Sequence, residues 1–304
     1  MKLGPFIHSG FTTQRLMFIT TLAMVPMMAA SIWENGLDAV ILFAVSICSV
    51  FGMESIFNRR VIFEYNALIT GILIALMLPV NAPWWISVLG AAIAVGVGKY
   101  LFGGFGQNIF NPAVLSRVLL MTLFPAIFIM PRWAVDGIAG ATMLAKEIGV
   151  EVPSLSAMFL SSDPGSLAQA MPVAILLGGL ILVIYKLIDW RVPLFYLATI
   201  TLLAILLPGS DKILGHAPHL LGNPLLHIVA GGSLLTSFFL LTDPVSSPFS
   251  SNGRVVFSII AAVFTMIIRY YTPYPDGAAF GVLLANAMVP IIDKYMLKLR
   301  MVSA

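Results

Sequence analysis

The sequence predicts an all-α polytopic membrane protein of about ten transmembrane helices. Three observations carry that reading. First, 60% of its 304 residues are hydrophobic and 10% charged, with a mean hydropathy of +1.00. Soluble domains carry about 25% charged residues and about 45–50% apolar ones, so this composition cannot clothe a water-soluble surface. Second, charge gaps and Pro/Gly breaks cut the chain into pieces of membrane-spanning length. Third, the basic residues fall unevenly between the two sets of span ends.

The first span runs from Leu16 to Trp33 between Arg15 and Glu34, and its core is too long for a cleaved signal peptide. The second, Leu37–Phe57, carries Glu54 near its end. Tyr65 to Gly98 is free of charge, but Leu78-Pro79-Val80-Asn81-Ala82-Pro83 divides it into a short third span, Tyr65–Leu78, and a fourth, Trp84–Phe102. A fifth covers Pro112–Met130. After a polar stretch, the sixth to tenth are Met171–Ile188, Val192–Leu207, Pro224–Leu241, Val255–Tyr271 and Gly277–Tyr295.

With the N-terminus cytoplasmic, the inner ends collect 12 basic residues: Lys2, Arg15, Arg59, Arg60, Lys99, Arg117, Lys186, Arg191, Arg254, Lys294, Lys298 and Arg300. The outer ends collect four: Arg132, Lys146, Lys212 and Arg269. The positive-inside rule then gives cytoplasmic N- and C-termini and an even number of spans. Pro131–Ala170, the one sizeable polar segment, is expected on the periplasmic or outer side. The expected domains are a first membrane unit, 1–131, the outer loop, 132–170, and a second membrane unit, 171–304.

The same composition excludes several functions. A net charge of +3 with no basic cluster beyond Arg59-Arg60 leaves no footprint for nucleic acid. Cys48 is the single cysteine, so the chain cannot supply the thiolates of an iron–sulfur cluster, complete a structural zinc site or build a disulfide framework. Cys48 reads as a small core or lipid-facing hydrophobe. His227 lacks a partner histidine or carboxylate at helical spacing and reads as a packing residue. Trp84-Trp85 and Tyr270-Tyr271 fit interfacial aromatic belts.

Leu78-Pro79 is followed 33 residues later by Asn111-Pro112, and Leu207-Pro208 is followed 36 residues later by Asp243-Pro244. This regularity suggests internal duplication. Two units of five spans, an odd number, would be inverted relative to one another, and such repeats place interrupted helices and half-helix ends at membrane depth.

Four segments hold the residues suited to chemistry. Asp136-Gly137-Ile138-Ala139-Gly140-Ala141-Thr142 surrounds a threonine hydroxyl with small residues. Thr242-Asp243-Pro244-Val245-Ser246-Ser247-Pro248 cannot stay helical in lipid and must be buried in protein or line a watery cavity. Gly103-Gly104-Phe105-Gly106-Gln107-Asn108-Ile109-Phe110-Asn111-Pro112 is flexible and amide-rich, without the lysine of a phosphate loop. Tyr274 to Ala287 places Asn286 inside the last span. Of the acids, Glu54, Glu64 and Asp243 are candidates for ion coupling; the simpler reading pairs Glu54 and Glu64 with Arg59, Arg60, Lys99 or Arg254.

In this order on a ten-span scaffold, the four segments resemble the RnfD family. Its members are the D-type membrane component of the Rnf ion-translocating electron transport complex and its homologue NqrB, from the Na⁺-translocating NADH:quinone reductase. The resemblance covers nearly the whole chain, and the Thr-Asp-Pro-Val-Ser-Ser-Pro string and the Asn-Pro-Ala turn are its most specific parts. It implies two inverted five-helix repeats of the urea-channel type. It also implies FMN joined by a phosphoester bond to Thr142, within the motif Asp136, Gly137, Gly140, Ala141 and Thr142, installed by a flavin transferase on the outer face. Ala139 and Met143 depart from the family, which often has Ser or Thr at the first position and proline at the second.

Further implications follow from the same resemblance. A second, non-covalent flavin (riboflavin) would sit nearer the cytoplasm, with Asn111, Asp243, Ser246 and Glu54 as candidates for its lining or for an ion path. The chain would be one electron relay in a bacterial inner-membrane translocase coupled to Na⁺ or H⁺, alongside a periplasmic flavoprotein and iron–sulfur membrane subunits. The competing expectation is a channel or transporter of the same architecture without a redox role.

Overall fold

The computed structural model describes residues 12–60, 64–129, 166–207, 224–272, 274 and 277–302. Among them every regular element is helical, and the one β-type contact is an isolated bridge between Pro79 and Ser166. Four helices are long and apolar enough to cross a bilayer: Thr13–Asn58, Trp84–Phe102, Ser251–Tyr271 and Gly277–Leu299. Shorter apolar helices pack among them. Together they make a polytopic membrane protein.

Helix α1, Thr13–Asn58, begins at the Thr12 cap, whose hydroxyl accepts from the Arg15 amide. Its 46 residues would reach about 69 Å if straight, more than twice the hydrocarbon core. Gly36 interrupts it with φ 59° and ψ −132°, a conformation open to glycine. The two arms are the first and second expected spans. Helix α2, Tyr65–Met77, is short and stops at Leu78-Pro79. Its end is not left bare, because Leu167 donates its amide to the Leu78 carbonyl at 3.0 Å. The Ser31 hydroxyl lies 2.7 Å from the Leu167 carbonyl, which ties that contact to α1.

Helix α3, Trp84–Ala92, continues into a π-turn, Ile93–Val97, and then a 3₁₀ turn, Tyr100–Phe102. Helix α4, Pro112–Leu123, starts under the Asn111 cap and stops before α5, Pro125–Ile129. The fifth expected span is therefore two helices, because Pro125 cannot continue the first. After a 3₁₀ turn at Leu167–Ala170 come α6, Pro172–Ile184, and α7, Arg191–Leu206. The sixth span ends earlier than its apolar run suggests, since Lys186 takes a φ of 54°.

The eighth expected span is not one helix. It consists of α8, Pro224–Val229, a break at Gly231 and Gly232 (φ 64° and 71°), and α9, Ser233–Leu235, which runs into a second π-turn, Thr236–Leu240. Helix α10, Ser251–Tyr271, is capped by Ser250, and α11, Gly277–Val302, extends past Tyr295.

Close helix approaches are set by glycine. A Cβ on Gly71 would lie 2.8 Å from the Ile47 Cα, and one on Gly178 would overlap the Ala23 carbonyl oxygen. Small residues of this kind let membrane helices meet backbone to backbone. Cys48 is exposed on the outside of the bundle, consistent with a lipid-facing hydrophobe.

Three basic residues counted as span-end charges lie inside the bundle. Lys99, Arg117 and Arg269 are 4%, 8% and 6% exposed. Removing them leaves ten inner residues against three outer ones, so the asymmetry persists on a smaller tally. Of the interfacial aromatic pairs, Trp84 and Trp85 are exposed, whereas Tyr270 is buried and stacks on His227 with centroids 5.7 Å apart.

Candidate functional site

Three of the four chemistry-bearing segments meet in one place. Asn111 opens α4 as its N-cap, its side-chain oxygen accepting from the amides of Ala113 (3.1 Å) and Val114 (3.4 Å). Pro112 at the first helical position fits this cap, since its missing N–H would have had no partner. The Asn111 amide donates to the Asn286 side-chain oxygen of α11 at 3.3 Å. Asn286 in turn donates to the Ser246 carbonyl at 2.8 Å. The Ser246 hydroxyl donates to the Asp243 carboxylate at 2.7 Å, closing a chain of contacts across the molecule. Asn286 is fully buried, and spends both ends of its amide on fixing the two turns.

Asp243 lies in the turn after Leu240, outside the helical spans. Burial pushes its carboxyl above the ordinary carboxylate value, and the Ser246 hydroxyl and the Val245 and Ser246 amides oppose that shift.

A second charged group lies close by. Lys99, at the end of the fourth span, pairs with Glu54 of α1, both side chains being 5% exposed. The Lys99 ammonium also sits 5.2 Å from the Phe105 ring centroid. Glu54 is therefore ion-paired with Lys99, one of the partners expected for it. Behind this pair Phe57 and Tyr100 stack with centroids 4.6 Å apart.

These groups border a cavity of about 310 Å³. Asn66 and Thr70 of α2, Lys99, Asn108, Asn111, Thr242 and Asp243 supply its polar wall. Met24, Leu73, Phe105 and Phe239 supply much of the apolar remainder. A mostly apolar pocket of this size with a few convergent polar groups is the usual form of a small-molecule site. Of the residues expected near a second ligand, Asn111 and Asp243 line the cavity, while Ser246 and Glu54 support it from behind through Asp243 and Lys99. Asn66, Thr70 and Asn108 join them without a strong sign in the sequence, although Asn66 and Thr70 lie four residues apart on an otherwise apolar short span.

Asp136, Gly137, Gly140, Ala141 and Thr142 lie outside the described residues. His227 is fully buried against Tyr270, as expected of a packing residue, and no cluster of three or more metal-ligating side chains occurs among the described residues.

Comparison with known proteins gives a consistent answer. The chain is 34% identical over 305 residues to the D component of the Na⁺-translocating ferredoxin:NAD⁺ oxidoreductase complex of Acetobacterium woodii, covering 96% of this chain and 92% of that one. It is 36% identical over 327 residues to the D component of the ion-translocating oxidoreductase complex of Stutzerimonas stutzeri, covering 93% and 90%. The corresponding protein of Halorhodospira halophila is 33% identical over 337 residues, covering 96% and 92%. The pattern of the NQR2, RnfD, RnfE family matches residues 1–301, and with the whole length matched in this way the chain belongs to that family.

Proposed function

We propose that this protein is the RnfD component of an ion-translocating ferredoxin:NAD⁺ oxidoreductase complex, a non-autonomous part of a redox-driven translocase that carries FMN on Thr142. The observation that supports this most is the match of the family over residues 1–301, joined to a cavity bordered by both the Asn-Pro and the Asp-Pro turn. The protein would be anchored in a bacterial inner membrane with both termini cytoplasmic. The ten-to-three excess of inner basic residues supports that orientation, which puts Thr142 on the outer side where a flavin transferase acts.

The two membrane units are inverted five-helix repeats in this reading. Paired irregularities are in keeping with an internal duplication: a π-turn at Ile93–Val97 and another at Thr236–Leu240, each followed by a polar turn and a capped helix.

The cavity fits a second, non-covalent flavin such as riboflavin in size and in chemistry. Asn66, Asn108 and Asn111 offer amide donors and acceptors for the polar edge of a heteroaromatic ring, and Phe105 and Phe239 offer apolar surface. Lys99 reaches the cavity wall with its charge balanced by Glu54. A flavin bound there would pass electrons one or two at a time. The protein holds the ring, excludes water from it, and fixes the charges around it through Glu54 and Ser246. Partner subunits, including a periplasmic flavoprotein and iron–sulfur membrane subunits, would deliver and remove the electrons.

A denaturing gel under ultraviolet light tests the reading. Co-production with the flavin transferase should give a fluorescent band for this chain that is absent in Thr142→Val. A dark wild-type band would refute it. In the same preparation, acid extraction should release a further flavin whose amount falls in Asn111→Leu.

A further inference from the structure

The break in the eighth span gathers oxygen atoms around one cation. Gly231 and Gly232 both take left-handed conformations, so α8 ends without the carbonyl partners of a continuing helix. Arg269 of α10, 6% exposed, fills that position. Its Nη1 donates to the His227 carbonyl at 2.9 Å. Its Nη2 donates to the Gly231 carbonyl at 2.9 Å, the Ala230 carbonyl at 3.3 Å and the Ser233 hydroxyl oxygen at 2.8 Å. The Ser233 hydroxyl proton points to the His227 carbonyl at 2.7 Å, which leaves its lone pairs facing the guanidinium.

Three carbonyls and one hydroxyl oxygen converging at the negative end of a half-helix form the donor set of a monovalent cation site. In transporters built on broken helices, half-helix C-termini and unwound carbonyls hold the coupling ion. Here the position is filled by a side chain of the protein. A second buried arginine also meets a helix end: Arg117 of α4, 8% exposed, donates to the Met77 carbonyl at the end of α2, with the Phe128 ring centroid 4.6 Å away.

We propose that Arg269 is a tethered cation, its guanidinium occupying an oxygen-lined monovalent-cation site at the Gly231-Gly232 break and closing that site to free ions. The ion path of the complex then avoids that helix break. Neither statement depends on the flavin, so the proposal stands or falls apart from the redox reading.

The test uses the assembled complex and follows heat-induced aggregation of this chain by immunoblot. Arg269→Ala should lower the midpoint by on the order of 5–10 °C. Millimolar guanidinium should restore it saturably, while urea, neutral and of similar shape, should not; the wild type should respond to neither. Equal recovery with urea, or no recovery with guanidinium, ammonium, Na⁺ or K⁺, overturns the proposal. If Arg269→Ala fails to accumulate in membranes, Arg269→Lys is compared with the apolar Arg269→Met. Charge occupancy requires the lysine variant to accumulate several-fold more; equal accumulation overturns it.

Discussion

Replacing Lys99 with methionine should damage the protein more than replacing Lys99 and Glu54 together with apolar residues. Both side chains are 5% exposed, and they join positions 45 residues apart, the second arm of α1 and the end of the fourth span. Lys99→Met leaves the Glu54 carboxylate buried without its ammonium partner. Breaking such a pair costs about 3–5 kcal/mol, to which loss of the contact with Phe105 adds about 0.5–2 kcal/mol. A total of about 3.5–7 kcal/mol changes the folded-to-unfolded ratio by roughly 10³–10⁵. Replacing both charges, as in Glu54→Leu with Lys99→Met, removes the two desolvation costs together and should return stability to within about 1–2 kcal/mol of the wild type. The assay is the amount of chain recovered in assembled complex from membranes, with its heat-aggregation midpoint, for wild type, both single variants and the double. Single variants close to wild type, or a double variant as poor as the sum of the singles, would refute the reasoning. The double variant also separates structure from transport: full accumulation with lost Na⁺ or H⁺ pumping would assign the pair a part in translocation.

Further outcomes follow from the same geometry. The folded state favours protonated Asp243, so its stabilising contribution is complete at low pH and is lost as pH rises through the raised folded pKa; Asp243→Asn should flatten that decline in a pH series of melting midpoints. Asn111→Ala removes the α4 cap and should lower stability by about 1 kcal/mol, measured against Asn111→Asp, which keeps an acceptor for the same two amides. Gly178→Ala would drive a methyl group into the Ala23 carbonyl and should separate α6 from α1 at a cost of about 1–3 kcal/mol, read as reduced accumulation. In a Cys48→Ala background, a cysteine placed at Met143 should react with a membrane-impermeant maleimide in right-side-out vesicles; reaction confined to inverted vesicles would reverse the proposed orientation.

The bounds of the first three spans were legible because hydrophobic length is a local property. Arg15, Glu34, Arg59 and Arg60 bound the two arms of α1, and Leu78-Pro79 and Trp84 bound the turn after α2. The break at Gly231-Gly232 was not legible, because membrane helices tolerate glycine and the apolar run there is continuous. The Gly231 carbonyl exposed by the break is met by Arg269, which lies 38 residues further on. Burial of Lys99, Arg117 and Arg269 escaped the charge tally for a related reason. Counting assigns a charge to the nearest span end, whereas the hydrogen-bond acceptors met by these three lie 36 to 45 residues away in sequence. The meeting of Asn111 with Asn286, 175 residues apart, had no local sign beyond two amides in apolar surroundings.

Helix α2 joins these observations physically. At one end Met77, Leu78 and Pro79 receive Arg117 from α4, and Leu167 and Ser166 from beyond the segment 130–165. Phe128, which leads into that segment, stacks on the same Arg117. Phe128 and Leu167, which precede and follow residues 130–165 in sequence, therefore both connect to a single helix end. Along α2, Asn66, Ile69, Thr70 and Leu73 recur at helical spacing on the wall of the cavity. Thirteen residues of helix span about 20 Å, so α2 is a short strut with these contacts at one end and the cavity toward the other. Helix α2 is buried over most of its surface and pinned by Gly71 against Ile47, so the contacts at its end and the cavity wall along it are held in fixed relation.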